Sequence, residues 1–210
     1  MPAVYVGHPD TTGVPNIDCF LTTKCAEPAD CPEHYSERGI LLDEFPFYYK
    51  YATAVAGTFE RTDLELTAAA TLYTCPQTER VRARLAKAGP DVIDRVHFQR
   101  QMNGLEYLNF VQQSDLLVET LGVSGGNSTY EAPSTGTPIL AYAGKHMRSQ
   151  ITIDLLTMIG LGDCVASDRE NFISVVLEPA DDTAARQEIR RRVPQASPGM
   201  LECQSAVEAA

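Results

Sequence analysis

The residues with the clearest chemical capacity are Gly122, Ser124, Gly125, Gly126, Asn127, Ser128 and Thr129, seven within positions 122 to 129. Glycine and short polar side chains at this density favour a turn over helix or strand. An apolar run precedes them: Leu116, Leu117 and Val118 form a compact strand bounded by Asp115 and Glu119. After them, Tyr130 to Ser134 starts a helix, Gly136-Thr137-Pro138 stops it, and Ile139 to Tyr142 is again strand-like. Strand, glycine-rich loop, helix N-terminus and strand is a layout that offers unpaired first-turn amides and the positive end of a helix dipole to an anion. The hydroxyls of Ser128 and Thr129 are further potential donors to a phosphate. The same turn also occurs where nothing binds, simply to let helix and strand pack closely, so the loop alone leaves both readings open. Neither G-x-G-x-x-G nor G-x-x-x-x-G-K-[ST] is present, which excludes the dinucleotide fingerprint and the P-loop.

Other reactive side chains are less ordered. Six cysteines lie at 19, 25, 31, 75, 164 and 203, and the first three are spaced by six, which matches neither C-x-x-C nor a zinc pattern. His34 near Cys31 keeps a metal site conceivable, but free thiols of a reducing compartment are the better expectation. Phe45, Phe47, Tyr48, Tyr49 and Tyr51 cluster around Pro46 and Lys50. They read as a packing patch, with a sugar-stacking platform as the alternative.

The elements that must position the loop follow from periodicity. Ala3 to Val6 reads as a strand, and Asn16 or Asp18 as the cap of a helical turn over Ile17 to Leu21. Glu33 to Glu37 reads as a helical turn and Gly39 to Leu42 as a strand. Ala52 to Ala70 reads as a linker with one or two helical turns. Thr71 to Cys75 is a strand, Glu79 to Lys87 an amphipathic helix stopped by Gly89-Pro90, Arg95 to Phe98 a strand, and Gly104 to Gln113 a helix. Ser149 to Ile159 is a helix ended by Gly160, and Cys164 to Ala166 a short strand. Asp168 caps a helix from Arg169 to about Leu177, and Thr183 to Arg192 forms the last one. Alternation of helices and short apolar strands from Thr71 onward predicts an α/β fold with a Rossmann-like parallel sheet covered on both faces. Ligands of such sheets sit beyond the C-terminal strand ends, where the 125–129 loop falls.

The totals bound the partners. The chain has 210 residues, 44% of them apolar and 21% charged, in the ordinary globular range. A formal net charge of −11 argues against nucleic acid or an anionic membrane surface as the main partner. No apolar run approaches the ~20 residues of a membrane helix. The N-terminus has no basic n-region or h-region, so a cytoplasmic location is the expectation.

Several stretches occur together in an order resembling the protein O-GlcNAc transferases and their SPINDLY-like relatives. They are HPDTTGVPNIDCFLT, EPADCPEHYSERGILL, TLYTCPQ, SDLLVETLGVSGGNSTYEAPSTGTPILAYAGKHMRSQ and LLTMIGLGDCVA, spread from about Val6 to Arg192. The resemblance implies a two-lobed glycosyltransferase fold of the GT-B kind. In it, 59–210 would be the nucleotide-sugar-binding, C-terminal donor lobe, and 1–58 a remnant of the N-terminal lobe and linker. It implies metal-free transfer of a sugar from a nucleotide donor to Ser or Thr of proteins. The donor would be UDP-N-acetylglucosamine, with GDP-fucose as the alternative. By the same resemblance Gly125, Gly126, Asn127, Ser128 and Thr129 would bind the donor diphosphate, Glu131 would hold the ribose hydroxyls and Tyr107 would lie against the base. A carboxylate accepting from a vicinal diol suits the role given to Glu131; a solvated acid for Glu131 and plain helix packing for Tyr107 are the readings without it.

The departures are specific. The family has a lysine-bearing loop after the counterpart of Tyr73 to Gln77, whereas here Thr78-Glu79-Arg80 leads straight into what resembles a later helix. Gln150 stands where relatives often carry arginine, and Pro133 is unfavourable inside a helix unless it falls in the first turn. Most of the first lobe, with the residues proposed for acceptor activation, has no counterpart, so no catalytic residue is assigned. Loss of a phosphate-facing cation removes transition-state stabilisation of order 10²–10³ in rate. A non-catalytic nucleotide-binding or protein-interaction remnant is therefore a competing expectation. An epimerase-like reading is the weakest, because His8, His34, His97 and His146 are the only histidines available for acid–base work.

Overall fold

The computed structural model describes residues 1–5, 7, 10–43, 59–64, 70–75, 80–196 and 198. Two parallel sheets carry the architecture. The first has three strands in the order β1-β2-β3, namely β1 (Ala3–Tyr5), β2 (Cys19–Thr23) and β3 (Arg38–Leu42). The second has four strands in the order β4-β5-β6-β7: β4 (Tyr73–Thr74), β5 (Leu116–Val118), β6 (Ile139–Tyr142) and β7 (Val165–Ala166). Helices α1 (Arg80–Ala88), α2 (Gly104–Gln113), α3 (Asn127–Ser134), α4 (Ile151–Met158), α5 (Arg169–Asp181) and α6 (Thr183–Ala196) alternate with the second sheet's strands or follow them. The α/β fold with parallel sheets is the one expected from the alternation.

Strands β5 and β6 are apolar throughout because helices cover both faces. Leu116, Leu117 and Leu140 are fully buried, and with Val111, Ala132, Ile139, Ile153, Leu156 and Leu161 they make the main core. The register pairs Leu117 with Ile139 and Val118 with Leu140. The ladder runs one residue past β5, where the Glu119 amide donates to the Leu140 carbonyl at 2.9 Å. Asp115 ties the other end: its carboxylate accepts from the Leu72 amide and from Arg61, both at 2.8 Å. Arg190 on α6 donates to the carbonyls of Ser114 and Gln112 at 2.9 and 2.8 Å, which locks the turn between α2 and β5.

Local signals explain the helix starts. Asn103 and Glu106 form a reciprocal capping box at α2, and the Asp168 carboxylate caps α5 by accepting from the Asn171 amide. Helix α3 begins at Asn127 rather than Tyr130, because Gly126, at φ 55°, turns the chain directly into it. Pro133 does sit within α3, in its last turn, where few further amide bonds are forfeited.

Three expectations fail. The helical turn over Glu33 to Glu37 lies earlier, as a 3₁₀ turn over Cys31–Glu33. The helical turn over Ile17 to Leu21 is instead strand β2, the central strand of the first sheet, with Cys19, Phe20, Thr22 and Thr23 buried. A central parallel strand is covered on both faces and so lacks the alternation that marks a strand, while Asn16 and Asp18 imitate caps. The strand over Arg95 to Phe98 is a 3₁₀ turn, Ile93–Arg95, followed by unpaired chain, and Phe98 packs under the Arg82 guanidinium at 4.1 Å. The aromatic cluster from Phe45 to Tyr51 and the boundary near residue 58 lie outside the described residues, as does most of the linker after Ala52.

Phe20, Ala26 and Met147 form a second small core with Val4, Tyr35 and Ile151, so the first sheet packs on the corner leading into α4. Arg148 pairs there with Asp10, and the rings of His34 and His146 meet edge-on with centroids 5.0 Å apart. Among the described residues no helix is long and apolar enough to cross a membrane.

Candidate functional site

The loop between β5 and α3 leaves the sheet at its C-terminal edge and returns as a helix of eight residues. Gly126 can enter that helix at positive φ only because it lacks a Cβ. Gly125 needs to be glycine for a different reason. A Cβ there would lie 2.1 Å from the Ser128 Oγ and 2.8 Å from a Glu119 carboxylate oxygen.

The glutamate behind the loop is the feature that motif reading missed. Glu119 is 5% exposed. Its Oε1 accepts from the Gly125 amide at 3.1 Å, the Thr129 hydroxyl at 3.1 Å and the Thr152 hydroxyl at 3.2 Å. The Thr129 and Thr152 oxygens lie 2.9 Å apart, close enough for one hydroxyl to turn its single proton to the other in place of Glu119. Burial raises the Glu119 carboxyl above its ordinary value, opposed by those hydrogen bonds, first the Gly125 amide. The sequence treated Glu119 as the polar boundary of a strand. An acid at the end of a buried strand, directly before a glycine loop, was the available signal.

These bonds sort the residues singled out from sequence. Thr129 faces inward, 1% exposed, with its hydroxyl on Glu119 and Thr152. The Ser128 hydroxyl turns back to the Gly125 carbonyl at 2.9 Å. The amides of Ser128 and Thr129 reach the carbonyls of Gly125 and Gly126 at 3.3 and 3.1 Å. The Gly126 amide donates to no acceptor among the described residues. Asn127 occupies the first position of α3.

Tyr107 and Glu131 come to the same edge from α2 and α3. The Tyr107 hydroxyl is buried beside the Ser128 hydroxyl. Its pKa is pushed up to about 12 by burial first, then by the charge of Glu131, with Glu119 and Cys75 adding to it. Glu131 is half-buried, and burial raises its carboxyl. Cys75, just past β4, is also near: burial and then the Glu119 charge push its thiol up to about 11. Gly125 to Thr129, Tyr107 and Glu131 thus converge on one edge of the second sheet. Gln150, after β6, donates its side-chain amide to the Gly144 carbonyl.

Among the described residues no group of three or more His, Cys, Asp or Glu is placed to hold a metal ion, and Cys19, Cys25, Cys31, Cys75 and Cys164 are free thiols.

No family model matches the chain. Over 227 residues it is 23% identical to a rice (Oryza sativa subsp. japonica) protein named probable UDP-N-acetylglucosamine–peptide N-acetylglucosaminyltransferase SPINDLY, an alignment covering 89% of this chain and 24% of that protein. A barley (Hordeum vulgare) protein of the same name is 24% identical over 224 residues with the same coverage. A Giardia intestinalis UDP-N-acetylglucosamine–peptide N-acetylglucosaminyltransferase is 22% identical over 114 residues, covering 54% of this chain and 8% of its own. The fold matches the solved structure of a Thermobaculum terrenum O-GlcNAc transferase mutant with a TM-score of 0.72 at 18% identity, covering 98% of this chain and 45% of that one. The resemblance to the O-GlcNAc transferase and SPINDLY-like proteins is thereby borne out, as is the Rossmann-like α/β architecture of the GT-B kind. The chain spans about a quarter of the length of the SPINDLY relatives it matches.

Proposed function

We propose that this chain is the donor-binding part of a glycosyltransferase that moves N-acetylglucosamine from UDP-N-acetylglucosamine to Ser or Thr hydroxyls of acceptor proteins. The observation that carries the reading is the convergence of the Gly125–Thr129 loop, Glu131 and Tyr107 on the C-terminal edge of the parallel sheet. In this reading the Gly126 amide and the first turn of α3 receive the diphosphate. Glu131 accepts from the ribose hydroxyls, and the Tyr107 ring lies against the base. Inverting transfer needs the acceptor hydroxyl beside the anomeric carbon while the diphosphate departs, and helix-terminal amides stabilise the charge that develops on it. No catalytic base is assigned, and the family resemblance implies transfer without a metal.

A second reading, a nucleotide-binding protein without transferase activity, is favoured by two features. The lysine-bearing loop that the family resemblance implies has no counterpart in the sequence, and Gln150, where relatives often carry arginine, spends its side-chain amide on the Gly144 carbonyl. Calorimetric titration with UDP, GDP, UDP-N-acetylglucosamine and GDP-fucose, alongside a sugar-transfer assay, separates the two. Binding that weakens about tenfold or more in Glu131→Ala, the loss of one charge-assisted hydrogen-bond pair, supports the donor site. Transfer in the same assay supports the enzyme, binding without transfer supports the second reading, and preference for the GDP ligands selects fucose. A chain that binds none of the four has no donor site.

A further inference from the structure

We propose that Glu119 is the positioning residue of the donor loop, holding Gly125 and Thr129 in register with α4 through a single carboxylate oxygen. The inference rests on the donor-site reading above and assigns to it a side chain that would not touch the nucleotide.

Glu119 is anchored at the edge of the second sheet. Its backbone belongs to the β5–β6 ladder, so its side chain leaves from a fixed point at the sheet edge. From there Oε1 gathers three donors from different parts of the chain: the Gly125 amide in the loop, the Thr129 hydroxyl in α3 and the Thr152 hydroxyl in α4. Sheet, loop and two helices therefore meet at one atom. Glu119 and Thr152 are both buried, at 5% and 0% exposure, so water does not compete for these bonds. The Oε2 atom is buried and takes none of these three bonds, so Oε1 is the atom that joins the loop to α3 and α4.

The consequence for binding is geometric. With the Gly125 amide drawn inward to Glu119, the next amide, that of Gly126, is left with no acceptor among the described residues. An anion at α3 is then received by Gly126 and the helix terminus, while Glu119 occupies the inner face. Removal of the carboxylate frees the Gly125 amide and uncouples α3 from α4, so the loop amides lose their fixed spacing.

The test compares Glu119→Ala, Glu119→Gln and Thr152→Val by UDP titration, amide hydrogen exchange and thermal melting. Glu119→Gln keeps a carbonyl acceptor in place of Oε1 and is expected to bind UDP within about threefold of wild type. Glu119→Ala is expected to bind about tenfold or more weakly, the effect of losing a hydrogen bond to a charged acceptor. Its exchange should accelerate at residues 125–129 while the β5 and β6 amides stay protected. Thr152→Val, which keeps the shape and loses only the link to α4, should fall between the two and gives the answer if Glu119→Ala does not fold. Equal UDP affinity and loop exchange in wild type, Glu119→Ala and Thr152→Val overturns the assignment. So does loss of protection in β5 and β6 together with the loop, which would mark a general stabilising role. A wild-type chain that binds neither UDP nor GDP refutes the donor site, and the inference with it. A wild type that binds beside variants that bind equally refutes the role of Glu119 alone.

Discussion

Substituting alanine for Gly125 tests the loop geometry without removing a charged group. The backbone is not the obstacle, because Gly125 is not among the glycines at positive φ. The new Cβ would stand 2.1 Å from Ser128 Oγ and 2.8 Å from Glu119 Oε1, both closer than real Cβ contacts come. Ser128 can rotate away, but it then gives up its 2.9 Å bond to the Gly125 carbonyl, which costs about 1 kcal/mol. Glu119 cannot retreat as freely, since its oxygen already holds three donors. Moving it by a few tenths of an ångström weakens or breaks one charged hydrogen bond, about 1.5–3 kcal/mol. The sum is a destabilisation of about 2–4 kcal/mol, read as a fall in the urea midpoint at unchanged slope. The double variant Gly125→Ala/Ser128→Ala relieves the nearer clash, so the two substitutions should be non-additive by about 1 kcal/mol. A single Gly125→Ala variant within about 0.5 kcal/mol of wild type, or strict additivity of the pair, refutes the packing assigned to this loop.

Two buried or hydrogen-bonded carboxylates make opposite predictions about pH. Burial raises Asp154 to about 7 from 3.8, so the stability tied to its protonated form is complete below about pH 4 and is lost as pH rises through 7. Asp154→Asn should therefore gain on wild type in denaturation free energy between those values, and parallel pH curves for the two proteins would contradict the burial assigned to this side chain. Glu37 is drawn down to about 2 from 4.5, first by the Thr12 hydroxyl and, against its burial, by the Thr11 hydroxyl and the Thr12 amide. Its stabilisation is present above about pH 4.5 and disappears as pH falls through 2. The stability gap between wild type and Glu37→Gln should close over that range; a gap that stays constant on acidification means the Thr11 and Thr12 bonds do not favour the carboxylate.

How much was legible in the sequence depended on whether the signal was local. The extents of α2, β5 and β6 followed from capping residues and apolar runs that lie within the element itself. The ordered motifs carried the relationship to the O-GlcNAc transferase and SPINDLY-like proteins for the same reason. Strand β2 was not legible, because a strand covered on both faces loses its alternation and is defined by its neighbours β1 and β3. The start of α3 was misplaced by three residues, since the conformation of Gly126 decides it rather than the polarity of Tyr130 to Ser134.

The sequence by itself determined that a glycine-rich turn would stand at the end of a buried parallel strand, because composition and hydrophobic pattern act over a few residues. Which amides of that turn are bonded within the protein was decided only by the tertiary structure. Glu119, Thr129 and Thr152 are separated by up to 33 positions along the chain, and only the packing of α4 against β6 and against Tyr130 of α3 brings their oxygens within hydrogen-bonding distance.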